Sequence, residues 1–205
     1  GINQAILGRL VEVLSGLSFQ DYLTQTLFEP LGMVDTSFVM DAEKRSRFQP
    51  LWINSEHLKG YTYLLNELTY SPTSQAHFGG EGLVSTAADY ANFCEMLANG
   101  GEFNGNRILS QESIDRMTTP LSQDIMSEMG RPSGMDMGYS VFVMRDSSAE
   151  GNAAPQGIVG WSGYHNTHFW IDPSNQMYVL WMSRAREFSF ESPAGLRKVV
   201  YGPAE

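Results

Sequence analysis

A serine, a tyrosine and two histidines fall close together in Gly157–Pro173, GIVGWSGYHNTHFWIDP, a glycine-punctuated turn that reads as running straight into an apolar strand. Polar groups beside a buried strand are what a strand-edge active site is made of. Gly160-Trp161-Ser162-Gly163-Tyr164 misses the G-x-S-x-G nucleophile elbow at its fifth position. An elbow joins a strand to a helix, whereas this turn leads into a strand, and no Asp-then-His order follows. Ser162 is therefore not expected to be the nucleophile of an α/β-hydrolase. His165 and His168 would point to opposite faces of an extended segment, with no Cys, Asp or Glu cluster beside them. They are expected to be hydrogen-bonded or rim histidines, and no metal site is expected.

Other reactive side chains are scarce. Cys94 is the single cysteine, which excludes an intrachain disulfide and a Cys-based zinc cluster. Tyr90, Phe93, Cys94 and Leu97 repeat at helical spacing, so the thiol is expected on the core face of a helix. Thirteen basic against twenty-three acidic residues give a net charge of -10 and a pI near 4.8. That charge repels phosphate backbones and anionic lipid surfaces, so nucleic acid is not an expected partner. No window approaches the roughly 20 apolar residues of a membrane-spanning helix.

The elements that would position these residues follow from periodicity. Ile2, Ile6, Leu7, Leu10, Val11 and Leu14 predict a helix stopped by Gly16. No cap precedes it, so residue 1 reads as a cut. Ser18 and Asp21 predict a capped second helix burying Phe19, Tyr22, Leu23 and Leu27. Asp35 to Gln75 reads as mostly irregular, with a short strand at Tyr61–Leu65, and Gly79-Gly80-Glu81-Gly82 as a close backbone approach. Thr86 and Asp89 cap a third helix through Ala98, and Ser110 starts a fourth that buries Ile114 and Met117. Residues 120–137 are methionine-rich and aperiodic. Tyr139–Met144, Thr167–Ile171 and Met177–Met182 predict strands, the last two joined as an antiparallel hairpin by Asp172-Pro173-Ser174-Asn175. A strand apolar at nearly every position needs cover on both faces, and a helix around Leu196–Tyr201 would supply one cover. The fold class is thus α+β, an antiparallel sheet flanked by helices on both faces, in one domain with a helical portion over about 1–135 and a sheet-forming portion over about 136–205.

Five stretches then match one family in order: LGRLVEVLSG with LFEPLGMVDTSF, GGEGLVSTAADYANF, NGNRILSQESIDRMTTP and GWSGYHNTHFWIDP. Together, over nearly the whole chain, they resemble the serine β-lactamase superfamily, and within it the class C β-lactamase-like, or family VIII, carboxylesterases. The resemblance implies a penicillin-binding-protein-like serine hydrolase with a Ser-x-x-Lys nucleophile, a Tyr-x-Asn or Tyr-x-Ser motif and a third motif lining the opposite edge of the cleft. Trp161-Ser162-Gly163 matches that third motif in its esterase form. By the same resemblance the backbone N–H of Tyr164 is an oxyanion-hole donor, and Trp161, Ser162, Gly163 and His165 bind substrate. An indole at Trp161, where a cation anchors the β-lactam carboxylate, favours neutral esters. Tyr90-Ala91-Asn92 matches Tyr-x-Asn in letters, but Tyr90 belongs to an apolar helical stripe.

One departure is severe. The three lysines, Lys44, Lys59 and Lys198, follow Asp41, Glu56 and Gly195 at three places, so the chain contains no Ser-x-x-Lys. Nucleophile, base and Tyr motif are expected upstream of residue 1, as would be any signal peptide. The expectation is the C-terminal part of an acyl-enzyme esterase for a small ester or amide, inactive alone, with no cofactor. The alternatives are a non-catalytic binding or assembly module of the same fold, or a class C-type β-lactamase or D-amino peptidase. A chain lacking those parts is expected to associate with a missing N-terminal segment, or with itself, across an exposed sheet edge.

Overall fold

Glycine stops, hydroxyl caps and period-two strands build most of the elements where the sequence predicts them. The computed structural model describes residues 1–55, 57–62, 77–122, 134–186 and 188–204, in two compact units, 1–93 and 94–205.

In the first unit, α1 (Ile2–Ser15) ends at Gly16, whose left-handed φ of 74° lets its N–H bond Glu12 O at 2.9 Å. The face of α1 that is buried is not its apolar stripe. Gly8 is its one buried residue, while Ile2, Ile6, Leu7, Leu10, Val13 and Leu14 are 49–79% exposed. The glycines at 79 and 80 pack on the polar-to-small side of this helix. A Cβ on Gly79 would lie 2.2 Å from Gln4 O, and one on Gly80 2.8 Å from Gly1 O. The predicted close backbone approach is therefore to the first turns of α1.

Helix α2 (Phe19–Leu23) is capped by Ser18, whose Oγ accepts the Asp21 N–H at 3.0 Å, and runs on as a π-helical turn, Thr24–Phe28. Phe19, Tyr22, Leu23 and Leu27 are half-buried, and Phe28, Leu31, Met33, Phe38, Met40 and Leu51 are buried. The stretch expected to be irregular holds α3 (Ala42–Arg47) and an antiparallel hairpin of β1 (Leu51–Asn54) and β2 (Lys59–Thr62). The missed signal is Asp41, which caps α3 by accepting the Lys44 N–H at 2.8 Å. Residues 63–65 of the predicted strand lie outside the described residues.

The unit boundary falls within α4 (Ala87–Ala98). Thr86 Oγ1 accepts the Asp89 N–H at 3.2 Å, as predicted. The Asp89 carboxylate is buried and accepts from Asp35 N–H at 2.7 Å and Thr36 Oγ1 at 2.8 Å.

The second unit begins with the end of α4, where Cys94 and Met96 are fully buried, and burial pushes the thiol up to about 12. A small hairpin, β3 (Glu102–Phe103) with β4 (Asn106–Arg107), leads to α5 (Gln111–Thr118), capped by Ser110 and burying Ile114. Of the methionine-rich stretch, 123–133 lies outside the described residues. A five-stranded sheet follows, in the order β5 (Met135–Met137), β6 (Phe142–Met144), β7 (Val159–Gly163), β8 (Thr167–Asp172), β9 (Met177–Trp181), antiparallel throughout. Helix α6 (Glu191–Tyr201) closes the chain. No helix among the described residues is long and apolar enough to cross a membrane.

Two strand predictions are corrected. Tyr139–Ser140 does not join β6: Ser140 turns at φ 61°, and Tyr139 N–H bonds Met117 O at 3.0 Å. Trp161-Ser162-Gly163 lies on β7 itself, not in a turn before a strand. The turn is Tyr164-His165-Asn166, closed by Asn166 N–H on Gly163 O at 3.0 Å with Asn166 at φ 61°. The β8–β9 hairpin forms as predicted, with Asp172 accepting the Asn175 N–H at 3.1 Å and its side-chain amide at 2.8 Å.

The pairing register carries a row across one face: Met137, Phe142, Gly160, Trp170, Val179. Gly160 has no room for a side chain, since its Cβ would lie 2.1 Å from Phe169 O and 2.8 Å from Trp170 Cα. Met135, Phe142, Met144, Ala154, Ile158 and Trp170 form the core on that face, with Leu196 and Tyr201 of α6 against it. Trp170 Nε1–H donates to Tyr201 OH at 3.0 Å, and Tyr201 OH donates to the buried Asp172 at 2.9 Å.

Candidate active site

Strand β7 is covered unevenly. On the β8 side all five residues are paired, whereas β6 reaches only Val159 and Gly160. Trp161-Ser162-Gly163 therefore runs past the end of β6. Gly163 O accepts on the β8 side, so by strand alternation Ser162 directs its N–H and C=O to the opposite edge, beyond β6. The same alternation makes Ser162 and His168 a non-hydrogen-bonded pair, in which side chains stand close. Ser162 Oγ and His168 Nδ1 are 2.7 Å apart.

His168 is 3% exposed, and its Nε2 is buried without a partner. Burial holds its pKa below the usual histidine value, and the nearby Arg197 guanidinium lowers it further. Ser162 and His168 line a cavity of about 300 Å³ on the α6 face, walled by Met135, Phe142, Phe188, Phe190 and Pro193. Arg197 also borders it, but that guanidinium is committed. It makes two bonds to the buried Glu150 carboxylate, at 2.6 and 2.7 Å, and lies over the Phe142 and Trp170 rings.

Of the residues singled out in the sequence, Trp161, Ser162 and Tyr164 border the cavity together. Gly163 lies between them on β7, where a Cβ would fall 2.2 Å from Thr167 Oγ1. Tyr164 opens the turn, 66% exposed, with the Arg186 guanidinium 5.3 Å from its ring centre. His165 sits in the turn, not on an extended segment, so its opposition to His168 across a strand does not arise. Its carbonyl accepts from Ala185 N–H and Ser183 Oγ, both at 3.1 Å. Burial lowers its pKa, with Arg184 and Arg186 adding to the effect.

Sequence reasoning missed the Ser162–His168 pair and the Phe188–Arg197 wall. The pair was recoverable in principle: a turn centred on His165 brings residues equidistant from it into register, and 162 and 168 are equidistant. The wall was not, because it comes from a loop and helix with no motif.

The Beta-lactamase family model matches residues 2–200 of this chain. The chain belongs to that family. Among curated proteins, it is 28% identical over 185 residues to Protein Rv1367c of Mycobacterium tuberculosis, covering 86% of this chain and 46% of that protein. It is 24% identical over 196 residues to a putative D-alanyl-D-alanine carboxypeptidase of Escherichia coli, covering 89% of this chain and 43% of that protein. Among solved structures, it is similar to EstCE1, a hydrolase with promiscuous acyltransferase activity, with a TM-score of 0.79 and 19% identity over 96% of this chain and 54% of that one. The fold is that of β-lactamases and penicillin-binding proteins, mixed helices and antiparallel sheet, and the family is one of serine hydrolases. The chain spans about half the length of the curated relatives it matches.

Proposed function

We propose that the whole protein is a carboxylesterase for small neutral esters, working through an acyl-enzyme whose serine and general base lie outside this chain. In that reaction a serine oxygen attacks the ester carbonyl, its proton passes to a neighbouring base, and the alcohol leaves. Water then releases the acid and restores the serine. Trp161-Ser162-Gly163 forms one wall of the site, with Ser162 on the substrate, Gly163 allowing close approach and the Tyr164 N–H directed at the oxyanion. Losing one such donor typically raises the barrier by about 2.7–4 kcal/mol. His165 stands at the rim.

The observation that carries this reading is the strand edge past β6, where an indole and a hydroxyl stand: among the described residues lining the cavity the cation is Arg197, paired with Glu150, and the neighbouring Arg186 guanidinium lies over the Tyr164 ring. A site for a carboxylate-bearing β-lactam or peptide needs a positive anchor, and Arg197 is neutralised by Glu150. The three lysines without a serine three places before them leave this chain inactive alone. The exposed apolar face of α1 packs, in this reading, against the remainder of the protein.

The test uses the full-length protein with p-nitrophenyl acetate and butyrate, nitrocefin and a fluorophosphonate probe. Ester turnover well above nitrocefin turnover, with labelling of one serine outside this chain, is the expected result. Nitrocefin turnover above ester turnover would reverse the substrate assignment. A folded, unlabelled, inactive protein would leave the fold as a binding or assembly module.

A further inference from the structure

On the α6 face of the cavity, the Ser162–His168 pair holds one polar hydrogen with nothing to receive it. If the Ser162 hydroxyl donates to His168 Nδ1, the ring proton sits on Nε2, which has no partner. If Nδ1–H donates to Ser162 Oγ instead, the free hydrogen is the hydroxyl's. In either tautomer the pair keeps one donor for something else, and a buried donor left unmatched is costly. Of the rest of the lining, Met135, Phe142, Phe169, Phe188, Phe190 and Pro193 are apolar, and Trp161 and Tyr164 are aromatic rings with one polar atom each. The bordering cation adds no net attraction for an anion, because both of its bonded nitrogens are on Glu150. A space of about 300 Å³ is at the small end of ligand cavities and suits one ring with a short substituent.

The geometry points to this cavity as the binding site for an uncharged, aryl-sized apolar group that carries a single oxygen acceptor, which takes its hydrogen bond from the Ser162–His168 pair. Assigning that group to the substrate rests on the esterase reading, and it makes the preferred esters aromatic ones. The cavity itself requires no nucleophile, so it is testable on this chain by binding alone.

Three non-hydrolysable probes separate the elements of the proposal: acetophenone, which is aryl with a carbonyl; ethylbenzene, its hydrocarbon counterpart; and benzoate, its anionic one. Each is titrated into 15N-labelled chain, following the backbone amides of Ser162, His168, Phe188 and Phe190 and the Trp170 indole. Ethylbenzene is the more hydrophobic, so a purely greasy cavity would prefer it. The expected result is the reverse: acetophenone tighter by about fivefold, the worth of one hydrogen bond, and benzoate at least tenfold weaker than acetophenone. In the Ser162→Ala/His168→Phe double variant the preference for acetophenone over ethylbenzene disappears. Binding of ethylbenzene at least as tight as acetophenone by the unaltered chain overturns the proposal without recourse to any variant. So does benzoate binding on a par with acetophenone, or shifts confined to residues away from the cavity. An inactive full-length protein with the expected probe order would overturn the esterase reading and leave the cavity assignment standing.

Discussion

Arg197 is one of the side chains, with Leu196 and Tyr201, that tie α6 to the rest of its unit. Its guanidinium and Glu150 are almost wholly buried, it stacks on Phe142 and Trp170, and Glu150 also accepts from Asn152. A buried ion pair is a weak net stabiliser, but half of one is a strong destabiliser, because the remaining charge has no solvent. Glu150→Gln is expected to lower stability by about 3–5 kcal/mol, read from urea unfolding, while Glu150→Leu with Arg197→Met recovers most of the loss. Tyr201 gives a second residue-scale outcome. Burial, with the adjoining Asp172 carboxylate, raises its phenol from 10.0 to about 12, against the opposing bond from Trp170. The unfolded chain therefore ionises this tyrosine first as pH rises. Its contribution is fully present below pH 10 and is lost as pH climbs through about 12. The urea midpoint measured from pH 8 upward is expected to fall less steeply above pH 10 in Tyr201→Phe than in the unaltered chain.

At the scale of elements, β7 depends on the absence of a side chain at Gly160. Its Cβ would meet the Phe169 carbonyl and Trp170 Cα, both backbone and unable to swing away. Gly160→Ala is expected to cost about 1–3 kcal/mol or more of unfolding free energy and to perturb the Ser162–His168 pair one step along, visible as a shift of the His168 ring resonances. Helix α1 makes the opposite point. Its periodicity locates it to the residue, yet which face is buried was not legible. Small Gly8 and the approach of Gly79 select the buried side, and the six exposed apolar residues are left facing out. A contiguous face of that kind drives association. Sedimentation of the isolated chain is expected to show concentration-dependent self-association, and Ile6→Glu with Leu10→Lys is expected to shift it toward monomer without lowering the urea midpoint. An unaltered chain that stays monomeric at high concentration would count against α1 as a packing face.

At the scale of the whole molecule, the fold class, the order of helices and strands and the Asp172–Asn175 hairpin were legible because each rests on local rules: capping hydroxyls, glycine stops, period-two runs. Helix α3 and β1 were passed over because their signals are four to six residues long and competed with a polar, turn-rich background. Family membership was also written in the sequence, through ordered motifs over nearly its whole length. The absence of a Ser-x-x-Lys was equally legible, since none of the three lysines has a serine three places before it. Only the tertiary structure decided that Trp161-Ser162-Gly163 is strand and not turn, that β6 stops short beside it, that Ser162 meets His168, and that Arg197 is neutralised. Those facts depend on strand register and on contacts between residues far apart in the chain, where a shift of one position would turn every side chain to the other face.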